Sequence, residues 1–368
     1  MTHFLHFGCW NEGNCNDDTD LQKTMMKLQT HIKNNINENK INFIVVAGDN
    51  YYPDKNNINE KKIKNINTIN FLSGIKCLLN SIKQEDIEKY ILLGNHEYDN
   101  IKNIDNIDYD FMQCYIMKQQ KNIFEDIPNT HFFMDVMEKK INKTLILFID
   151  TTIYEEIEEM KIVNSCFTHI FPSANPRNTI SDLCNYQEKK VLEILDKNQD
   201  IVNLIIISHH PLVSVKYKEK KEKKINEQTH LYGLINLYKK IYNKIINKDV
   251  NLYHLCADTH IYQYGIINII MDDNMNKKIT QYICGTGGAH KDKCNRNDEI
   301  LFKNSSEDIT YTIYECMEVN GFLDVEISDD NPVIFKFIMT NNYSDKYMNK
   351  YIKYKKKYLY LKKLKITI

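Results

Sequence analysis

Short runs of apolar residues recur along the first two thirds of the chain, and polar segments separate them. The runs are rich in isoleucine, leucine and valine at nearly every position, which is typical of strands that are buried on both faces of a sheet. They cover residues 41–48, 89–94, 143–150, 202–208 and 251–256. The amino-terminal segment HFLHFG predicts one further strand, which ends near Gly8.

Helical periodicity appears between several of these predicted strands. One apolar stripe follows a capping segment at residues 17–19 and consists of Leu21, Met25, Leu28 and Ile32. Its spacings of four, three and four residues place these side chains on one face of a helix. A second helix is predicted near residues 187–198. The alternation of strands and helices indicates α/β units.

The later part of the chain predicts strands without intervening helices, which is typical of an antiparallel run. These strands cover residues 262–271, 279–285, 310–316, 321–327 and 332–338. One α/β domain with two packed sheets fits this order best. The charged segment 216–228 predicts a solvated loop, and a flexible rim beside a site is the alternative.

The ten cysteines are scattered and include no CxxC pair, which excludes a zinc ribbon and a thioredoxin-type motif. The amino terminus has none of the regions of a signal peptide, and no window is apolar enough to span a membrane. We therefore expect a cytoplasmic protein in which most cysteines are reduced and buried.

Charge is distributed unevenly along the chain. Residues 346–368 contain nine lysines and no acidic residue, so the net charge of −1 leaves −10 for residues 1–345. This acidic body gives no strong nucleic-acid signal, because nucleic-acid affinity depends on basic residues that neutralise phosphates. Arginine occurs only at Arg177 and Arg296. Any phosphate would therefore be held by metals, lysines and histidines and not by bidentate arginine pairs.

Polar side chains suited to metal binding or acid–base chemistry follow five of the predicted strands. In α/β sheets, ligands bind beyond the carboxyl ends of the strands, so we expect these side chains to converge. The segments are Gly8-Cys9-Trp10, Gly48-Asp49-Asn50-Tyr51-Tyr52, Gly94-Asn95-His96-Glu97, Ser208-His209-His210-Pro211 and Ala257-Asp258-Thr259-His260. Each segment alone fits a turn or a hydrogen-bonded buried side chain. All five in this order are hard to explain as turns.

The order of these segments resembles that of the calcineurin-like metallophosphoesterases, and most closely their purple acid phosphatase branch of the small tartrate-resistant type. That branch reads G-D-x-G, G-D-N-x-Y, G-N-H, H-x-P and G-H-x-H, and its characteristic tyrosine is present here as Tyr52. The segments FIDTTIY, CGTGGAHKD and GFLDVEIS also resemble family elements. The resemblance implies a four-layer sandwich of two facing mixed β-sheets flanked by helices, over residues 1–342.

The resemblance also implies two metal ions, divalent or of mixed valence (Fe, Zn or Mn), which activate a hydroxide for the hydrolysis of phosphomonoesters. In this chain the bridging ligand would be Asp49. The remaining ligands that match the motifs are Tyr52 and His260 for the first metal, and Asn95 and His209 for the second.

Three histidines are the candidates for contact with the substrate. His96 would face the substrate and protonate the leaving oxygen. His210 and His230 are weaker candidates for the pocket rim. For His230, a surface histidine on a helix is the alternative.

Two positions depart from the family pattern, because Cys9 stands where the family has aspartate and Asp258 stands where it has histidine. Both residue types are able to bind metal, so an altered dinuclear site is expected. The alternative for Cys9 is a buried, inert cysteine. The chain would then be a one-metal enzyme, or a catalytically impaired phosphatase-like scaffold or anchoring protein. If it is an enzyme, its substrate would be a phosphorylated small molecule or a phosphoprotein.

The tail, residues 343–368, is rich in tyrosine and lysine. Three tyrosines and a leucine fall on one helical face, namely Tyr351, Tyr354, Tyr358 and Leu361. The tail resembles a short carboxy-terminal motif of giant DNA virus proteins, which implies a viral protein in the host cytoplasm or the virion. It would serve as an address, contact an anionic partner, or fold back onto the acidic body.

Overall fold

The computed structural model describes residues 1–11, 19–35, 41–50, 52, 74, 77–78, 80–81, 87–97, 120–132, 136–155, 180–220, 223–245, 249–271, 275–294, 302–303, 309–328 and 332–340. The α-helices with described bounds are α1 (Asp20–Asn34), α2 (Ile180–Lys197) and α3 (Tyr232–Ile245), and short 3-10 helices cover Asn95–Glu97 and Thr152–Tyr154. The strands are β1 (Thr2–Phe7), β2 (Ile41–Ala47), β3 (Glu88–Leu92), β4 (Thr130–Phe132), β5 (Met137–Ile141), β6 (Thr144–Phe148), β7 (Asn203–Ile207), β8 (Val213–Lys220), β9 (Lys223–His230), β10 (Asn251–Cys256), β11 (Tyr262–Ile270), β12 (Asn276–Cys284), β13 (Phe302–Lys303), β14 (Ile309–Met317), β15 (Gly321–Ile327) and β16 (Ile334–Met339).

Two mixed sheets form the body of the molecule. The six-stranded sheet has the order β16-β15-β1-β2-β3-β4, and β1 to β4 are parallel. The eight-stranded sheet has the order β13-β14-β11-β12-β10-β7-β6-β5, with a parallel centre from β6 to β12. The parallel strands β1, β2, β3, β7 and β10 bring their carboxyl ends to one end of the molecule.

Burial on both faces explains why the central strands lack alternation in the sequence. In β6, Ile146 and Phe148 belong to the core between the sheets, whereas Leu145 and Leu147 belong to the core under α2 and α3. Every residue of this strand is buried. A strand of this kind needs apolar residues at every position, as the sequence predicts.

Helices cover the outer faces of both sheets. Thr19 caps α1 by accepting a hydrogen bond from the backbone N–H of Gln22 at 3.2 Å, as the capping segment predicts. The predicted stripe of α1 is buried in the core of the six-stranded sheet. The molecule is therefore the predicted four-layer sandwich. In α2, the structure begins the helix at Ile180, earlier than the sequence pattern indicates.

The prediction of a loop at residues 216–228 is wrong, because β8 and β9 form an antiparallel hairpin there. The buried glutamines of the eight-stranded sheet hold its base: Gln281 donates to the carbonyl of Val213 at 2.7 Å, and Gln263 donates to that of Val215 at 3.1 Å. The sequence of this hairpin, which is dominated by lysine and glutamate, does not predict these long-range hydrogen bonds. His230 ends β9, so the alternative that placed it on a helix is also wrong.

The expectation of reduced cysteines holds for four of the described cysteines, Cys9, Cys184, Cys256 and Cys284. In contrast, Cys294 forms a disulfide with Cys316, and Cys77 is also disulfide-bonded. No sequence motif indicates the Cys294–Cys316 pair, because its 22-residue separation resembles no short motif.

Nowhere in the described residues does a helix have both the length and the apolar character needed to cross a bilayer. The predicted tail, residues 343–368, lies outside the described residues. The domain boundary at residue 342 therefore stays a prediction.

A carboxylate links α1 to the six-stranded sheet. Asp324 of β15 lies 2.9 Å from Nε2 of His31 and 3.5 Å from Nδ1 of His3. Burial disfavours the carboxylate, but the hydrogen bonds and charges of His31 and His3 outweigh this effect and hold the pKa of Asp324 below its usual value.

We expect Asp324→Asn to destabilise the fold at mildly acidic pH, because a hydrogen bond to a charged group contributes about 1.5–3 kcal/mol. The depressed pKa of Asp324 means that its contribution is present above the unfolded-state pKa and is lost as the pH falls through the folded-state pKa. Urea unfolding of both proteins across acidic pH measures this. A stability gap that stays constant down to the lowest pH would contradict the assignment.

Candidate metal centre

The ends of the strands approach one another closely at glycines. Gly48, which follows β2, has a φ of 82°, and a Cβ on it would lie 2.6 Å from Nδ1 of His209. A Cβ on Gly94, which follows β3, would lie 2.4 Å from Oδ1 of Asp49. Glycine at these two positions therefore lets side chains from both sheets reach one point.

Three candidate ligands have left-handed backbone conformations, with φ values of 51° for Cys9, 55° for Asp49 and 56° for Asp258. Aspartate tolerates this region, whereas for other residues with a Cβ it costs about 1–2 kcal/mol. Such conformations persist where the surrounding structure fixes them, and they cluster at functional sites. Each of the three is the second residue after the end of its strand, which is β1, β2 or β10.

The first group of side chains surrounds Oδ2 of Asp49, a residue that is 1% exposed. The thiol of Cys9 lies 3.4 Å from this oxygen, and the hydroxyl of Tyr52 lies 3.0 Å from it. Nε2 of His260 lies 3.2 Å from the Tyr52 hydroxyl. The structure thus brings together all four residues predicted for the first metal.

The second group lies at Oδ1 of Asp49. Nε2 of His209 is 3.2 Å from this oxygen, 3.0 Å from Oδ1 of Asn95 and 4.0 Å from Oδ1 of Asp258. The four residues predicted for the second metal are therefore also together. In the described part of the chain, two sets of three ligand atoms lie within 4.8 Å of one another: Cys9, Asp49 and His209, and His209, His210 and Asp258.

The hydrogen bonds of the histidines fix which ring nitrogen faces the site. Nδ1 of His209 lies 2.7 Å from the carbonyl oxygen of Ala47, and Nδ1 of His260 lies 2.6 Å from that of His290. A carbonyl only accepts, so each Nδ1 carries the proton. Nε2 of a neutral ring then presents a lone pair to the site, which is the arrangement of a metal-ligating histidine.

The resulting donor set fits a cation. Burial lowers the pKa of His209 and favours its neutral ring. The lone pair of its Nε2 then faces the oxygens of Asp49, Asn95 and Asp258, with no proton between them. These four acceptors repel one another unless a positive charge lies among them, and nitrogen and oxygen ligands of this kind suit Zn, Mn or Fe.

Cys9 and Tyr52 are protonated donors when no cation is near. Burial, followed by the charge of Asp49, raises the pKa of the Cys9 thiol well above its usual value, and the same two causes act on Tyr52. A bound cation reverses this preference, because it stabilises a thiolate or phenolate directly. Neither residue is excluded as a ligand by its burial.

His96 lies beside the first group. Its ring centroid is 4.4 Å from that of Tyr52, and its backbone N–H donates to Oδ1 of Asp49 at 3.3 Å. The described residues place this histidine next to both candidate metal positions. Its predicted role in proton transfer stays a prediction.

His210 has protein partners at both ring nitrogens. Nδ1 lies 3.1 Å from the hydroxyl of Thr151, and Nε2 lies 2.9 Å from Oε1 of Glu155. Burial opposes a charge on the ring, but Glu155 raises the pKa of His210 to about 9. The ring is therefore oriented by Thr151 and Glu155. Its contact with substrate stays a prediction, as does that of His230, of which the backbone alone is described.

Glu97 lies in the site, although its position in the sequence predicts no role for it. Its Oε2 accepts the backbone N–H of Gly94 at 2.5 Å and that of Asp49 at 3.1 Å. Burial, and then the nearby charge of Asp49, raises the pKa of Glu97 to about 8. The only signal in the sequence was an acidic residue next to His96. One side chain thus joins the ends of β2 and β3.

Two mixed sheets with metal-ligand side chains at their converging strand ends are the architecture of metal-dependent phosphoesterases. The family model of the calcineurin-like phosphoesterases matches residues 2–262, and the chain belongs to this family. Members of the family use divalent metal ions.

A solved structure entitled "Structure of PhoD" is similar to this chain, with a TM-score of 0.50 and 9% sequence identity. The match covers 91% of this chain and 68% of that one. At this identity the likeness shows the fold alone. No curated protein sequence matches the chain.

We expect Glu97→Ala to destabilise the protein, because each buried N–H left without a partner costs about 1–3 kcal/mol. Glu97→Gln keeps an acceptor oxygen and should cost less. Thermal unfolding of the two variants beside the wild type measures the difference. Equal stability of Glu97→Ala and the wild type would contradict the role of Glu97.

Proposed function

We propose that this chain hydrolyses phosphate monoesters with two metal ions held at the converging strand ends. The observation that supports this most is the position of Asp49 between the two groups. Its Oδ2 faces Cys9 and Tyr52, and its Oδ1 faces His209. A carboxylate that turns one oxygen to each group is suited to bridge two cations.

The proposed ligands of the first metal are Cys9, Asp49, Tyr52 and His260, and those of the second metal are Asp49, Asn95, His209 and Asp258. Thiolate is a soft ligand and favours Zn or Fe(II) at the first position. The carboxylate of Asp258 makes the second position harder than a histidine would and favours Mn or Mg.

Metal ions at these positions would supply Lewis-acid activation of water and of the phosphoryl oxygens. The chain itself orients the ligands, since the carbonyls of Ala47 and His290 hold the rings of His209 and His260. We assign to His96 the protonation of the leaving oxygen, because it adjoins the proposed ligand Asn95 and its ring lies 4.4 Å from that of Tyr52, centroid to centroid.

Tyr52, three residues after Asp49, supports placing the chain in the purple acid phosphatase branch of its family. The proposed substrate is a phosphorylated small molecule or a phosphoprotein.

We further propose that the protein is located in the cytoplasm, including the cytoplasm of an infected host. The basic tail would act as a localisation signal (an address) or bind an anionic partner. A neutral reporter fused to residues 343–368 tests the address: an unchanged distribution in infected cells would exclude it.

A scaffold without turnover is the second candidate, and the surroundings of Cys9 favour it. Cys9 is fully buried and packs with the alanines Ala47, Ala257 and Ala289. Small apolar surroundings of this kind are typical of an inert cysteine. In that case the first metal would be absent.

Metal content and turnover separate the two candidates. We expect about two metal ions per chain by mass spectrometry, with hydrolysis of an aryl phosphate in the presence of Mn, Zn or Fe. Cys9→Ala should lose the first metal and most of the activity, because it removes a ligand. Cys9→Asp, which restores the residue typical of the family, should retain both.

His96→Asn is the matched control for chemistry, because it should leave the metal content unchanged while turnover falls about 100-fold or more. No metal and no turnover in the wild type, with Cys9→Ala indistinguishable from it, would favour the scaffold.

A further inference from the structure

The loop of residues 284–294, which we call the clamp loop, holds the backbone of Cys9. It begins at the last residue of β12 and lies against the end of β1. The carbonyl of Cys284 accepts the N–H of Gly8 at 3.0 Å. Beyond it, Gly287 donates to the carbonyl of Gly8, and Ala289 donates to that of Cys9, both at 3.0 Å. The clamp loop therefore fixes the turn that presents the thiol.

The same loop holds His260 from a second direction. The carboxylate of Asp292 accepts the backbone N–H of His260 at 3.0 Å, and the N–H of Asp292 donates to the carbonyl of His260 at 3.1 Å. The carbonyl of His290 accepts from Nδ1 of the His260 ring at 2.6 Å. Both the main chain and the ring of His260 thus depend on two residues of the clamp loop, His290 and Asp292.

Two ligands proposed for the second metal, Asp49 and His209, are held by residues outside the clamp loop. His209 is bound to the carbonyl of Ala47, and the backbone of Asp49 is bound to Glu97. Both of these partners belong to the ends of β2 and β3. A displacement of the clamp loop would therefore disturb the ligands of the first metal more than those of the second.

A covalent bond fixes the far end of the clamp loop. Cys294, its last residue, forms the disulfide with Cys316 of β14, and its N–H donates to Oε1 of Glu318 at 3.0 Å. β14 is part of the eight-stranded sheet. Asp292 and His290 are thus two and four residues from a covalent attachment to the core.

We propose that the clamp loop, tied by the Cys294–Cys316 disulfide, is the positioning element of the first metal, so that closure of this disulfide sets the affinity for that metal alone. The inference rests on the proposed assignment of Cys9 and His260 as ligands. Opening the bond takes two electrons and two protons from a thiol reductant, which becomes a disulfide, and leaves two thiols. Asp292 acts through His260 and is a positioning residue.

The expected effect follows from the behaviour of groups that orient metal ligands. Loss of such a partner typically weakens metal binding about 10- to 100-fold. We expect this loss at the first metal in Asp292→Ala, with recovery in Asp292→Asn, which keeps an acceptor oxygen. We expect the same loss when Cys294 and Cys316 are both replaced by serine.

Cobalt(II) titration of the full-length protein tests the inference. A thiolate–cobalt absorption band reports occupancy of the first position, and its absence in Cys9→Ala identifies it. Mass spectrometry counts the metal ions in parallel. Cys77→Ser, which breaks a disulfide elsewhere, is the control for general destabilisation. It should leave the thiolate band and the metal count unchanged.

Weakening of the thiolate band in the double serine variant and in Asp292→Ala, with the second metal retained, would support the inference. Equal affinity of these variants and the wild type for both metals would overturn it, as would parallel loss of both metals. If the double variant does not fold, Asp292→Ala decides alone. If the wild type binds two metals but hydrolyses no phosphate ester, the proposed function is wrong, whereas the inference about the clamp loop is unaffected. A wild type with fewer than two metals would overturn both.

Discussion

A buried carboxylate at the meeting point of the two sheets is the constraint on which the rest of this structure depends. Asp49 is 1% exposed, and an isolated anion in such a place is costly unless donors or cations surround it. Cys9, Tyr52 and the backbone N–H of His96 donate to its oxygens. The lone pairs of the nearby histidine, asparagine and second aspartate add no such help. These side chains therefore do not satisfy one another as hydrogen-bond partners, but together they form a set of metal ligands.

The backbone around Asp49 has the shape that this crowding requires. Gly48 and Gly94 let the strand ends approach to distances that no Cβ permits. Cys9 has a left-handed conformation that aspartate, the residue typical of the family, adopts at lower cost. The left-handed backbone of Cys9 and the contact of its sulfur with Asp49 are more typical of a metal ligand than of a cysteine that only packs in the core. A cysteine that only packs in the core does not require a left-handed backbone.

The sequence predicted the elements whose local pattern reflects their surroundings. The central strands are apolar throughout because both of their faces are covered, and the stripe of α1 is apolar because one face is covered. The convergence of the candidate ligands could be expected from the sequence because each follows the end of a strand within five residues. Contacts between distant segments were not predictable in this way. The β8–β9 hairpin depends on Gln263 and Gln281, and the disulfide joins cysteines 22 residues apart. Glu97 carries no pattern of its own, because its partners are backbone groups.

The proposed centre draws its ligands from both halves of the sandwich. Cys9, Asp49 and Asn95 follow strands of the six-stranded sheet, whereas His209, Asp258 and His260 follow strands of the eight-stranded sheet. Each metal would thus link two sheets that are also joined by apolar contacts, such as the stacked rings of Tyr90 and Phe148, and by hydrogen bonds between their strand ends. Loss of the metals would leave the two layers able to slide or part separately. With the metals bound, the two sheets would unfold as one cooperative unit. The ligand atoms proposed for catalysis would then also hold the two sheets together.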